Sequence, residues 1–282
     1  MTGYGGCWGT MTKLNTIYNE NCLDTMARMQ DGFVDLVVTS PPYDGLRDYK
    51  GYSFPFEEIA KELYRVMKDG GVVVWVVGDA TVNGSESGTS FKQALYFKEI
   101  GFKLHDTMIY RKTSVTLNHN RYEQDFEYMF VLSKKKLKTF NPIRIPCLWY
   151  GKDSDRTGQV TGKHNEKNKR LRTENDRGNI SLDKIKGNVW EYNVGYLHST
   201  KDDIAFEHPA IFPEQLAADH IYSWSNEGDL VYDCFGGSGT TAKMAHKYNR
   251  NWILSEISKE YCEIAQKRIS PYLAQTSLFT NL

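Results

Sequence analysis

No stretch of these 282 residues approaches the ~18 consecutive apolar positions that a bilayer-spanning helix needs. The basic-then-apolar layout of a secretory leader is also missing after Met1. Cysteine is scarce: the five (Cys7, Cys22, Cys147, Cys234, Cys262) are odd in number and scattered, and no two are spaced C-x-x-C. A disulfide framework and a structural zinc are therefore not expected, and the thiols read as small apolar filler in a reducing cytoplasm. Net charge is lacking as well, at +0, but the zero hides an asymmetry. Residues 133–187 hold 15 Lys and Arg against 6 Asp and Glu, leaving 20 against 29 elsewhere. A basic segment on an acidic body suits a polyanionic partner met on one side, or else a solvated loop.

With 40% hydrophobic content, the chain can bury one substantial core plus an inserted lobe. Apolar runs at residues 14–18, 33–38, 72–77, 105–110, 128–132, 230–232 and 252–255 predict strands. Helical spacing predicts helices over 23–29, 56–67, 90–100, 214–224, 240–247 and 259–269. Alternation of the two types at both ends of the chain implies an α/β fold with a doubly wound, mostly parallel sheet. Residues 1–12 are Gly-rich at first and carry no pattern, with Met11 a candidate start; they are expected to form a disordered extension. The periodicity fades after about 132 and returns at about 190, too long a gap for an ordinary connection. The expected divisions are thus 13–132, a basic insertion at 133–189, and 190–282.

Two loops carry the chemistry. Thr39-Ser40-Pro41-Pro42-Tyr43-Asp44 follows the strand predicted at 33–38, and Asp233-Cys234-Phe235-Gly236-Gly237-Ser238 follows that at 230–232. Both fall at carboxyl ends of strands, where open α/β sheets bind ligands. The first offers a polar group, two rigid prolines and an aromatic plate. The second offers glycines whose backbone N–H groups can approach a charged ligand, just ahead of a helix N-terminus. No Gly-Lys-Ser/Thr follows, so this is not a phosphate-binding P-loop, and it departs from G-x-G-x-x-G. From the residues alone, nucleotide, dinucleotide and plain-turn readings stay open. Glu256, just after the next strand, has the ~20-residue spacing of an acid that binds ribose hydroxyls. Together the loops suggest group transfer onto a flat, amino-bearing substrate.

Ser40-Pro41-Pro42-Tyr43 resembles the Asp/Asn/Ser-Pro-Pro-Tyr/Phe motif of the S-adenosylmethionine-dependent DNA amino-methyltransferases. Phe235-Gly236-Gly237-Ser238-Gly239 is similar to that family's Phe-x-Gly-x-Gly motif. The order, with the Ser-Pro-Pro-Tyr loop nearly 200 residues ahead of the glycine loop, resembles the family's permuted β class, which places a target-recognition region between the two. Glu127-Tyr128-Met129-Phe130-Val131-Leu132-Ser133-Lys134 resembles the strand before that region. His208-Pro209-Ala210-Ile211-Phe212-Pro213 is similar to the segment leading into the cofactor half, and Asn249 to Glu256 to the second-strand motif.

The resemblance covers residues 13–270 and implies a Rossmann-like methyltransferase fold. It implies S-adenosylmethionine as cofactor, double-stranded DNA as partner, and no metal. Cofactor contacts would come from Asn21, Asp233, Phe235, Gly236, Gly237, Gly239, Thr240 and Glu256; Asn21 stands where the family usually has an Asp near the adenine ring. Catalysis would fall to Ser40, Pro41, Pro42 and Tyr43. An aromatic amine is a poor nucleophile because its lone pair is delocalised into the ring. The Ser40 side chain and Pro41 carbonyl would accept its hydrogens and draw the lone pair out, while prolines fix φ and bring no competing N–H. Tyr43 would stack on a base swung out of the duplex. Serine in the first position points to cytosine N4, with adenine N6 the alternative, and a non-catalytic DNA-binding module the alternative of another class. Lys134, Lys135, Lys136, Lys138, Arg170 and Arg172 would neutralise phosphates. A separately acting restriction endonuclease, and a monomer or a homodimer, are all compatible with the chain.

Overall fold

The computed structural model describes residues 12–42, 54–113, 121–146, 182–211 and 213–279. In chain order these form β1 (Thr16–Tyr18), α1 (Cys22–Ala27), β2 (Val34–Thr39), α2 (Phe56–Val66), β3 (Met67–Val77), a small hairpin of β4 (Thr81–Val82) and β5 (Ser85–Glu86), α3 (Thr89–Glu99), β6 (Phe102–Lys112) and β7 (Phe126–Lys134). There follow β8 (Arg144–Pro146), β9 (Asp183–Ile185), β10 (Val189–Tyr192), a 3-10 turn at Asp203–Glu207, α4 (Glu214–Trp224), β11 (Leu230–Asp233), α5 (Thr240–Lys247), β12 (Asn251–Ser255) and α6 (Lys259–Phe279). Two compact units result: Pro142–Gly187, and the remainder of the chain. In the smaller unit β8 and β9 pair antiparallel, with an Arg144–Asp183 ion pair at 2.8 Å.

The larger unit is built on one eight-stranded sheet in the order β1-β12-β11-β2-β3-β7-β6-β10. Only β7 runs antiparallel to its neighbours. Val34 and Leu36 to Val38 on β2, and Val72 to Val77 on β3, are buried on both faces, as continuous β-branched runs require. Ile59, Ala60, Leu63 and Val66 give α2 one buried stripe. They pack in a core with Met26 of α1, Phe97 of α3, and Trp75. Trp75 donates from Nε1 to Gln93 Oε1 at 2.8 Å, which removes the cost of burying either group alone. Across the other face, α4 lies against β2 and β3, and α5 against β11 and β12. The doubly wound, mostly parallel sheet is therefore as the sequence predicts.

Among the elements that differ from the sequence pattern, three have a local reason. The pattern stops α2 at Asp69-Gly70-Gly71 and starts a strand at 72, whereas β3 begins directly at Met67. The pairing with β2 slips between Val34 and Leu36, and Gly70 at φ +84° takes up the bulge. Strand β10, at the end of the region where periodicity fades, is not among the predicted strands, because four residues are too few to register a pattern. It nonetheless alternates, with Trp190 and Tyr192 buried and Val189 and Glu191 exposed. Helix α6 runs on past 269 through Pro271. Proline leaves the carbonyl four residues back without its donor, and the Ser270 hydroxyl supplies one to Lys267 O at 3.3 Å.

Candidate active site

Strands β2 and β11 are parallel neighbours, with Val37 opposite Tyr232, so the loops that follow them emerge side by side. Thr39 Oγ1 donates to Asp233 Oδ1 at 2.6 Å, and Thr241 Oγ1 donates to Val38 O at 3.1 Å. Ser40, Pro41, Pro42, Cys234 to Ser238, Thr240 and Glu256 consequently line one cleft of about 1340 Å³. Tyr43 lies outside the described residues.

Asp233 is buried at the root of this junction and also accepts from Phe235 N at 3.1 Å. Burial pushes its carboxyl up to about 6, against hydrogen bonds that pull the other way. The folded protein thus holds this proton more tightly than the unfolded chain does. Its stabilising contribution is complete below the ordinary 3.8 and is lost as pH rises through about 6. Asp233→Asn keeps an Oδ1 acceptor and cannot ionise. Urea midpoints measured from pH 3.5 to 7.5 should show wild type losing roughly 3 kcal/mol relative to the variant across that window; parallel curves would mean the carboxylate is adequately solvated.

The glycine turn is shaped by what stands behind it. Gly236 donates from N to Ser255 O at 2.9 Å, and a Cβ there would lie 2.1 Å from Leu254 Cγ. Gly237, at φ +49°, donates from N to Glu256 Oε2 at 2.8 Å. Glu256 Oε1 accepts from Ser258 N at 2.7 Å, and burial raises this carboxyl above the usual range. Gly239 precedes α5 at φ +80°. The Phe235 ring packs edge-on against Phe54 and Trp75, at centroid distances of 5.6 and 6.1 Å. Asn21 also lines the cleft, where its Oδ1 caps α1 by accepting from Leu23 N at 2.9 Å.

Sequence reasoning gave no warning of what braces this turn. The Arg268 side chain, 0% exposed, donates from Nη1 to Ser238 O at 2.7 Å, to Ser238 Oγ at 2.9 Å and to Thr240 Oγ1 at 3.1 Å. Its other nitrogens reach Asp202 Oδ2 at 3.0 Å and Glu214 Oε1 at 2.8 Å, and Lys243 Nζ meets both carboxylates at 2.7 Å. Burial alone would raise the Asp202 carboxyl, but hydrogen bonds from Lys243 and Arg268 outweigh it and hold the group below its ordinary value. His208, at the start of the segment that leads into α4, accepts at Nδ1 from Ala210 N at 3.1 Å. It also lines the cleft, with its ring against Tyr261 at 4.2 Å.

The four lysines expected to neutralise phosphates lie away from the cleft. Because β7 runs antiparallel, its carboxyl end lies beside the amino ends of β3 and β6: Ser133 pairs with Val72 and Lys134 with Phe102. Lys134, Lys135, Lys136 and Lys138 therefore sit at the pole of the sheet opposite the cleft. Lys134 Nζ donates to Met67 O at 2.9 Å over the Tyr64 ring, and Lys135 pairs with Asp69 at 2.6 Å. The reversed strand direction carries no composition signal, so the sequence does not say at which pole these four lie, and any phosphate they neutralise would be met there. Arg170 and Arg172 lie outside the described residues.

A family model described as DNA methylase matches residues 34–267. The orphan methyltransferase M.BamHII of Bacillus amyloliquefaciens is 56% identical over 246 residues, covering 86% of this chain and 91% of that protein. The type II methyltransferase M.BglII of Bacillus subtilis is 29% identical over 283 residues, covering 95% and 72% respectively. Among solved structures, a cytosine-N4-specific PvuII DNA methyltransferase shares the fold at a TM-score of 0.66 and 21% identity, over 92% of this chain and 87% of that one. An M1.HpyAVI–SAM complex does so at 0.58 and 21%, over 90% and 98%.

Proposed function

This chain belongs to the N6/N4 DNA methylases, which are S-adenosylmethionine-dependent DNA methyltransferases, and within that family we propose that it methylates the exocyclic N4 of a cytosine flipped out of duplex DNA. The observation that carries the reading is the Thr39–Asp233 hydrogen bond, which brings Ser40 and the glycine turn into one cleft.

The donor set fits the cofactor. Glu256 is a buried acid fixed by two backbone N–H groups at the rim of the turn, suited to accept from ribose hydroxyls. The Oδ1 of Asn21 is engaged at Leu23 N, so its Nδ2 amide is the group oriented for an adenine acceptor. Gly236 and Gly237 line the cleft with no side chain of their own, and Gly239 lets the turn pack against Ala265. The edge of Phe235 closes the turn, while Asp233 and Thr240 hold it through Thr39 and Arg268. S-adenosylmethionine supplies the electrophilic sulfonium methyl.

The chain's own residues act on the base. Ser40 and the Pro41 carbonyl accept the amino hydrogens, and Pro42, lacking N–H, keeps a donor out of competition. Tyr43, next in sequence, provides the stacking plate. Serine at position 40 supports cytosine over adenine. The basic content of Pro142–Gly187, 11 Lys and Arg against 6 Asp and Glu, supports target recognition by that unit, with a restriction endonuclease as a separate partner.

Mass spectrometry of nucleosides from DNA incubated with protein and labelled S-adenosylmethionine should find N4-methylcytosine. N6-methyladenine would replace the base assignment, and no transfer to diverse duplexes would end the proposal. Ser40→Ala should lower turnover by about 10- to 100-fold, the worth of a hydrogen bond strengthened as charge develops, while the cofactor Kd stays within about twofold.

A further inference from the structure

The cleft continues along the sheet to the carboxyl end of β6, where Tyr110, Lys112 and Glu127 line it together with Ser40, Pro41 and Pro42. Tyr110 and Glu127 are directly opposed across the β6–β7 ladder and so share a face. Lys112, two residues beyond Tyr110, points to the same face. Its Nζ meets Glu127 Oε1 at 2.5 Å and stands 5.9 Å from the Tyr110 ring centroid. The two charged side chains are only 28% and 14% exposed.

A pair this far from water contributes little to stability, because desolvating two charges offsets most of their attraction. The β6–β7 ladder already runs unbroken beside it from Asp106 to Arg111, so strand pairing does not call for it either. Its place in the wall of a substrate cleft suggests recognition. An ammonium carries three N–H donors; Glu127 accepts one and thereby aims the others into the cleft.

A cytosine whose N4 amino group lies at Ser40 presents two acceptors, N3 and O2, along the rest of its pairing edge. Adenine in the same pose presents N1 and then a C–H. We infer that Lys112, held by Glu127, donates to the ring acceptors of the target cytosine and is a specificity-determining residue for the base. This rests on the cytosine reading above.

Lys112→Met keeps most of the stem over Tyr110 and removes the donors. In methylation assays with labelled S-adenosylmethionine and mixed-sequence duplex DNA, kcat/KM for cytosine should fall about 10- to 100-fold, with the cofactor Kd within about twofold. Lys112→Arg should recover part of the loss, and Glu127→Gln, which leaves the ammonium in place, should cost less than Lys112→Met. If wild type forms N4-methylcytosine and a folded, cofactor-binding Lys112→Met does so equally well, the inference is overturned while the cytosine reading stands. A loss confined to cofactor affinity also overturns it, since the pair would then serve the other ligand. N6-methyladenine from wild type removes the cytosine reading and the contact inferred from it together.

Discussion

Replacing Arg268 with leucine is expected to destabilise the protein by about 3–5 kcal/mol, the range for removing one partner of a buried ionic cluster. The guanidinium is 0% exposed and faces two carboxylates, a backbone carbonyl and three hydroxyls. Without it, Asp202 keeps Lys243, Glu214 keeps Lys243 and the Thr200 hydroxyl, and Ser238 O loses a buried donor. The same substitution should weaken cofactor binding, because Ser238 and Thr240 belong to the glycine turn. Arg268→Lys should recover part of the stability and less of the affinity, since one ammonium cannot span both the acids and the turn. Urea denaturation and calorimetric titration with S-adenosylmethionine read the two effects separately. A stability loss below about 1 kcal/mol would contradict the burial of this cluster.

The second large effect is expected at Gly236→Ala. The added methyl would fall 2.1, 2.3 and 2.6 Å from three carbons of Leu254, whose side chain is wholly buried in β12. Leu254 has no room to turn, so the strain passes to the loop. Overpacking of this kind costs about 1–3 kcal/mol, and the displaced turn carries Gly237 N away from Glu256. The cofactor Kd should rise by at least about tenfold, the equivalent of ~1.4 kcal/mol. Gly187→Ala, where a Cβ meets nothing within 4 Å, is the matched control and should change neither property. Unchanged cofactor affinity in Gly236→Ala would show that the turn relaxes without consequence.

Both loops that meet in the cleft were legible because they are short, local and punctuated by proline or glycine. Their strands were legible too: a run such as Val72 to Val77 has one stable environment, the middle of a covered sheet. What escaped notice depends on distance along the chain. Arg268 reads as an ordinary charge in a closing helix, and only the packing of α6 over the turn brings it to Ser238. Lys112 and Glu127 are unremarkable residues on two strands until the ladder sets them on one face. The pole at which the four lysines at 134–138 sit was not legible, because composition records charge but not the direction in which a strand runs.

The Thr39–Asp233 contact has a consequence for biogenesis. Its partners are separated by 194 positions, and β1 completes its ladder only with Ile253 to Ser255. A ribosome delivers the Ser-Pro-Pro segment long before the strands that flank it, so the emerging amino-terminal portion must wait with a bare sheet edge. The cleft therefore assembles only once β11 and β12 have been made, and a product terminated ahead of them lacks one of its two walls.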